Sequence, residues 1–157
     1  MDRPTKVEYY LRLAADAALR STCLKRRYGA VIVKDDRIIS TGYNGAPRGR
    51  KNCLEIGCPR MNVAHNTDYS ACRSVHAEAN AIIHANYSDM IGSTLYLSGW
   101  DCAKNQNVEN TEPCPMCKRM IINSQIRSVI VPDKDVGYMI YDVAQWVSPD
   151  NDDSLPK

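Results

Sequence analysis

The chain has no apolar run near the ~18–20 residues that a bilayer crossing requires. Its first residues, Met1-Asp2-Arg3-Pro4, lack the apolar centre of an export signal. A cytoplasmic protein without a membrane span is therefore the expectation. An excess of one charge is also missing, since 20 Lys and Arg stand against 18 Asp and Glu for a net +2. So small a surplus excludes a strongly basic nucleic-acid coat and leaves room for a local basic patch. The 157 residues show no internal repeat and no linker, and one ordinary domain fills that length. We read residues 1–148 as that domain and 149–157 as a polar, acidic, frayed tail. Apolar and charged fractions of 44% and 24% are those of a globular chain, which excludes disorder.

What is there in excess is cysteine, seven in all. With an odd count and no export signal, a closed disulfide framework explains them poorly; metal binding or catalysis explains them better.

Apolar residues at Val7, Tyr10, Leu11, Ala14, Ala18 and Leu19 form a helical stripe. Residues 28–34 (YGAVIVK) and 37–43 (RIISTGY) are β-branched runs joined by a short polar turn, the pattern of a hairpin. Residues 44–74 have no period, and a loop of about thirty residues needs a function or an anchor. A helix opens at His76 with Ala79, Ile82 and Ile83 on one face, and a short strand follows at 94–97. Residues 99–112 read as a polar loop, and Pro113 introduces a second helix with Met116, Met120 and Ile121 inward. A strand at 127–131 and a last helix at 136–146 complete the order α-β-β-α-β-α-β-α. This alternation predicts an α/β fold of three layers, α/β/α, with a mixed sheet that begins in an antiparallel hairpin.

The chemistry concentrates in His76-Ala77-Glu78 and Pro113-Cys114-Pro115-Met116-Cys117. Cys114 and Cys117, three apart in a first helical turn, leave from one face. The helix N-terminus favours the thiolate that a metal binds. His76 opens the other helix and supplies a third ligand. Three protein ligands leave one zinc position open to water, as in catalytic sites, and such a metal brings the pKa of that water towards neutrality. Glu78, two residues after His76, is placed to serve the water without ligating zinc.

H-A-E with P-C-x-x-C resembles the signature of the zinc-dependent cytidine/deoxycytidylate deaminase superfamily. Residues 29–49 (GAVIVKDDRIISTGYNGAPRG) and 76–82 (HAEANAI) are similar to its deoxycytidylate (dCMP) branch, and the resemblance spans roughly residues 5–145. It implies a cytidine-deaminase-like fold and hydrolysis of dCMP to dUMP. His76, Cys114 and Cys117 would hold the catalytic Zn2+, and Glu78 would carry protons from water to ring nitrogen N3. It implies further that Asn44 contacts the sugar hydroxyl and that the Ala77 backbone holds the base. A homo-oligomer, often a hexamer, is implied too, activated by dCTP and inhibited by dTTP with Mg2+.

Cys23, Cys53, Cys58 and Cys72 surround the unsupported loop and suit a closed zinc site of four sulfurs; ordinary buried or free cysteines are the alternative. Some dCMP deaminases carry a second, structural zinc at equivalent positions, and there His65 is a candidate substitute for one sulfur. Cys102 reads as a free thiol.

Basic residues gather at Lys25, Arg26, Arg27, Arg48, Arg50 and Lys51. Arg26, Arg27 and Arg48 are candidates for a nucleotide phosphate, against a merely solvated basic face. A nucleic-acid groove, as in tRNA-editing deaminases, would require a sustained basic surface that the charge balance does not supply. Tyr138 is a candidate to stack near the ligand, or else a buried tyrosine of the last helix. One departure from the family is an insertion of about ten residues within 99–112, which would reshape the base pocket, cover it or meet another subunit. Two rivals stand beside dCMP deamination. One is a deaminase of another nucleotide or of tRNA adenosine; the other is a non-catalytic, zinc-stabilised binding module.

Overall fold

The computed structural model describes residues 2–65 and 67–147, so the tail expected at 149–157 lies outside the described residues. Helix α1 (Lys6–Ala18) begins where the sequence supplies a capping box. Thr5 Oγ1 accepts from the Glu8 N–H at 3.2 Å, and the Glu8 carboxylate accepts from the Thr5 N–H at 2.7 Å. Its stripe of Tyr10, Leu11, Ala14 and Ala18 is buried. Leu19, expected on that stripe, is 71% exposed because it caps the helix end.

Strands β1 (Arg26–Lys34) and β2 (Arg37–Tyr43) are joined by Asp35 and Asp36, both at positive φ (49° and 61°). Two successive left-handed residues match the twist of a tight hairpin, and aspartate tolerates that region. The rest of the chain adds α2 (Cys53–Ile56), α3 (Ala77–His84), α4 (Tyr87–Met90), β3 (Thr94–Asp101) and β4 (Gln106–Val108). It closes with α5 (Pro115–Asn123), β5 (Ser128–Asp133), β6 (Gly137–Asp142) and α6 (Ala144–Val147).

The sheet runs β2-β1-β3-β5-β6, and only the β3–β5 pairing is parallel. β1 covers one whole edge of β3, so β5 and β4 share the other, β5 opposite Thr94, Leu95 and Tyr96 and β4 opposite Gly99, Trp100 and Asp101. Alternation along the strands sorts the core into two layers. Val31, Val33, Tyr96 and Ile130 meet α1 on one face. Ala30, Ile32, Leu95, Leu97, Val129 and Val131 meet Ala77 and Ala81 of α3 and Ile121 of α5 on the other. The expected three layers and antiparallel opening hairpin are present.

Two glycines permit this packing. A Cβ on Gly29 would stand 3.0 Å from the Ala17 carbonyl carbon and closer still to Ala14 O and Ala18 N; one on Gly42 would stand 3.0 Å from Ala81 Cα and closer still to Ala77 O and Ala81 N. Side chains at these positions would push α1 and α3 off opposite faces of the sheet.

Three expectations are corrected. Residues 136–146 do not form one helix: 137–142 are strand β6, paired with β5 from Ser128↔Asp142 to Asp133↔Gly137, and only the short α6 at the end is helical. The reason is a tight turn in which Asp133 Oδ1 accepts from the N–H groups of Asp135 (2.9 Å) and Val136 (2.8 Å), with Gly137 at φ 88°. Residues 99–112 are not wholly loop, because β3 continues to Asp101 and turns back into β4. Met116 and Ile83 face outward at 62% and 65% exposure. In α5 the inward pair is Cys117 and Ile121, and in α3 the inward residues are Ala77, Glu78, Ala79 and Ala81.

Candidate active site

Helices α3 and α5 lie on the same face of the sheet, and their N-termini converge. His76 caps α3 and Cys114 caps α5, both in extended conformation (φ −71° and −64°); the Cys114 sulfur accepts from the Cys117 N–H at 3.5 Å, whereas the His76 ring makes no bond to its own first turn. Pro115 at the first position of α5 lacks the N–H that would need a partner there. The residue before His76 is pinned to the end of β2 by paired backbone bonds between Val75 and Gly45, of 2.8 and 3.1 Å.

His76 Nδ1 lies 3.5 Å from Cys114 Sγ and 3.5 Å from Cys117 Sγ, and the three donor atoms fall within 4.8 Å of one another. With Zn–S near 2.3 Å and Zn–N near 2.0–2.1 Å, a tetrahedral site requires an N–S edge of about 3.6 Å. The donors therefore fit zinc, and Nδ1 is the ring nitrogen that faces it. The chemistry of the set agrees. Cys114 is held well below the ordinary thiol range by hydrogen bonding with Cys117 and with His76, and the same proton-sharing, with burial, pushes Cys117 up. His76 is raised by its hydrogen bond to Cys114. A nitrogen and two sulfurs so close together call for a shared cation.

Glu78 is buried in the first turn of α3, and burial raises its carboxyl above the ordinary range. A carboxyl of this kind, next to the metal donors, can accept a proton and pass it on.

The other candidates fall in different places. Asn44 is buried at the end of β2, where its Oδ1 accepts from Ser21 Oγ (2.6 Å) and Tyr28 N (2.7 Å) and its Nδ2 donates to Arg26 O (2.9 Å). One amide N–H of Asn44 remains for a ligand. Ala77, fully buried, is the first residue of α3. Arg26 alternates onto the face of Tyr28 and Ala30, which carries the metal donors. Arg27 alternates with Gly29 onto the α1 face, and its Nε is buried without a partner. Arg48 is exposed. Tyr138 pairs with Pro132 and shares the α1 face with Ile130 and Ile140, so it is not brought to the metal donors.

All seven cysteines carry free thiols. Burial first, and then Cys58 and Cys23 nearby, raise the Cys53 thiol. Among the described residues, His76, Cys114 and Cys117 are the one His/Cys/Asp/Glu group whose donor atoms all lie within 4.8 Å. His65 is engaged elsewhere, Nε2 at 2.9 Å from Arg26 Nη1 and Nδ1 at 3.1 Å from Tyr69 Oη. Burial, followed by the charges of Arg26, Lys25 and Arg60, keeps its imidazole on the neutral side.

Sequence reasoning missed Tyr28, whose hydroxyl lies 3.4 Å from Thr111 Oγ1 and ties β1 to the segment leading into Cys114. It also missed Asp101, which pairs with Arg26 at 3.3 Å. Neither carried a motif; strand register sets Asp101 opposite Arg26 and Tyr28 opposite Gly99.

An α/β/α sandwich that joins two helix N-termini around a His-Cys-Cys zinc set and a buried carboxyl is built as a zinc hydrolase centre. Comparison with known proteins narrows this. Residues 4–132 match the family model of the cytidine and deoxycytidylate deaminase zinc-binding region. The deoxycytidylate deaminase of Mycobacterium phage D29 is 42% identical over 139 residues, covering 84% of this chain and 98% of the phage protein. That of Saccharomyces cerevisiae is 40% identical over 130 residues, covering 82% of this chain and 38% of the yeast protein. Among solved structures, the apo dCMP deaminase of cyanophage S-TIM5 superposes with a TM-score of 0.59 at 24% identity, over 87% of this chain and 89% of that one. A cytidine deaminase from Burkholderia pseudomallei reaches 0.62 at 14% identity, over 93% and 98%. These two share the fold. The chain belongs to the cytidine and deoxycytidylate deaminase family.

Proposed function

We propose that this protein hydrolyses dCMP to dUMP and ammonia. The observation that carries the reading is the convergence of His76 Nδ1, Cys114 Sγ and Cys117 Sγ at zinc-ligand spacing beside the buried Glu78. The phage relative, named a deoxycytidylate deaminase and matched over 98% of its length, supports dCMP as the substrate. When bound, zinc supplies the Lewis acidity that makes water a nucleophile near neutral pH. Glu78 takes a proton from the attacking water, delivers it to N3 of the base, and then assists departure of the C4 amine. Its burial keeps that proton within the site. Ala77 presents its backbone to the base, and Asn44 offers its remaining N–H to the sugar hydroxyl.

The same reading extends to a second, structural zinc on Cys23, Cys53, Cys58 and Cys72, to dCTP and dTTP–Mg2+ as effectors, to a homo-oligomer such as a hexamer, and to a cytoplasmic location. Among the described residues no helix is long and apolar enough to cross a membrane. Zinc per chain near two, falling to one in a Cys114→Ala/Cys117→Ala double variant, would support the second metal; a value near one in the wild type removes it.

The primary test is turnover of dCMP, CMP, deoxycytidine and a tRNA anticodon stem-loop by the zinc-loaded protein. Deamination of dCMP, abolished in Glu78→Ala with zinc and fold retained, is the expected result. Turnover of the RNA alone would make the protein a tRNA deaminase. No turnover of any substrate would leave the zinc-stabilised binding module.

A further inference from the structure

We propose that His65 is a positioning residue: with Asp101 it holds the Arg26 guanidinium at the rim of the site, and Arg26 so held selects the phosphate-bearing nucleotide over the nucleoside. The inference rests on the dCMP reading above and assigns its phosphate end.

Arg26 is gripped from two sides, Nη1 at 2.9 Å from His65 Nε2 and Nη2 at 3.3 Å from Asp101 Oδ2. Each grip belongs to a polar segment with no apolar core of its own. Asp101 ends β3, where its Oδ1 accepts from the N–H groups of Ala103 (3.0 Å) and Lys104 (3.1 Å), so the inserted β3–β4 hairpin fixes it. His65 belongs to the long loop, and that loop is folded around a buried cation. Arg60, 5% exposed, donates to Asp68 O (2.6 Å), Ala64 O (3.0 Å) and Thr67 Oγ1 (3.4 Å), and its guanidinium lies 3.8 Å from the Tyr69 ring centroid. Lys25 donates to Arg60 O (2.9 Å) and to Val63 O. Tyr69 in turn bonds His65 Nδ1. The two segments without periodicity, 44–74 and 99–112, thus converge on one guanidinium.

The position suits a phosphate. Arg26 stands two residues further out along β1 than Tyr28, about 7 Å, on the face of the metal donors. Its backbone carbonyl accepts from Asn44, the residue proposed to meet the sugar. Of the five guanidinium N–H donors, one is directed at His65, while Asp101 holds the group as an ion partner, and donors remain for phosphate oxygens. Arg26 and Asp101 line an open cavity of about 300 Å³ whose wall also holds Lys104, Lys134 and one further carboxylate residue, Glu109. Holding a flexible arginine in place before the ligand arrives lowers the ordering cost of binding.

The experiment measures kcat and KM for dCMP, and KM or competitive Ki for deoxycytidine, in the zinc-loaded full chain. In His65→Ala the dCMP constant should rise about tenfold relative to the deoxycytidine constant, with kcat for dCMP held, as expected when binding forfeits one charge-assisted hydrogen bond. His65→Gln, whose amide oxygen can accept from Arg26, should restore most of the difference. If His65→Ala does not fold, Arg26→Lys, which keeps charge and loses the fork, should show the same dCMP-specific loss. Equal changes for the two ligands, or no change for dCMP, would overturn the proposal. Failure of the wild type to turn over dCMP would instead overturn the parent reading.

Discussion

Gly42→Ala tests whether the contact between β2 and α3 sets the metal geometry. A Cβ at this position would stand 3.0 Å from Ala81 Cα and closer still to Ala77 O and Ala81 N. These are backbone atoms, which no rotamer change can move aside. Ordinary contact begins near 3.5 Å, so α3 must retreat by about 1 Å. The helix carries His76 and Glu78 at its near end, whereas the sulfurs sit on α5, which Gly42 does not touch. The retreat therefore lengthens the His76 Nδ1–sulfur distances from 3.5 Å while leaving the two sulfurs as they are. Overpacking of this kind costs about 2 kcal/mol, or roughly 6 °C in Tm for a domain of this size. A 1 Å displacement of reacting groups costs turnover about 100-fold. Gly29→Ala is the matched control, since it imposes at least equal strain on α1, which bears no site residue. We expect both variants to lose Tm by circular dichroism. Only Gly42→Ala should lose zinc to a competing chelator and lose dCMP turnover. If Gly42→Ala keeps zinc affinity and turnover while melting as early as Gly29→Ala, the contact does not set the site, and the reasoning is wrong.

Three more outcomes are expected. Cys117→Ala should lose the catalytic metal, measured as one zinc fewer per chain by atomic absorption, because its sulfur is one of the three converging donors. Asn44→Ala should destabilise the fold by about 3 kcal/mol in urea denaturation, since the Tyr28 N–H, the Ser21 hydroxyl and the Arg26 carbonyl are all deprived of a partner. The Asp101 carboxyl is held below its ordinary 3.8 by the Lys104 N–H, then by Arg26 and the Ala103 N–H. The folded state thus favours the ionised form, and this contribution is intact above pH 3.8 and lost as pH falls below it. Asp101→Asn should flatten the acid limb of a Tm-against-pH curve; an unchanged limb would refute the assignment.

The candidate metal site was legible because its residues sit at helix starts. A histidine and two cysteines with turn-forming neighbours identify ligand and helix N-terminus together, and Glu78 follows from its spacing to His76. The opening hairpin was legible from β-branched alternation across a short polar turn. The last segment was not. Residues 137–142 mix aromatic and aliphatic side chains whose spacing satisfies a helix as well as a strand, and the Asp133 turn with its pairing to β5 decides between them. Met116 and Ile83 were misplaced because one residue of phase in a helix rotates a side chain by about 100°, and the sulfur of Cys117 takes the inward position.

Local sequence determined the metal donors, the acid beside them, and the helices that open at each, because those depend on residue type and spacing over a few positions. The partners of Arg26 were beyond its reach. His65 and Asp101 are 39 and 75 positions away along the chain, in two polar stretches without periodicity. They meet only because strand register carries Asp101 opposite Arg26 and because a buried Arg60 folds the long loop back over the rim. Tertiary structure alone could decide that, since contacts between distant polar groups leave no pattern in the order of residues.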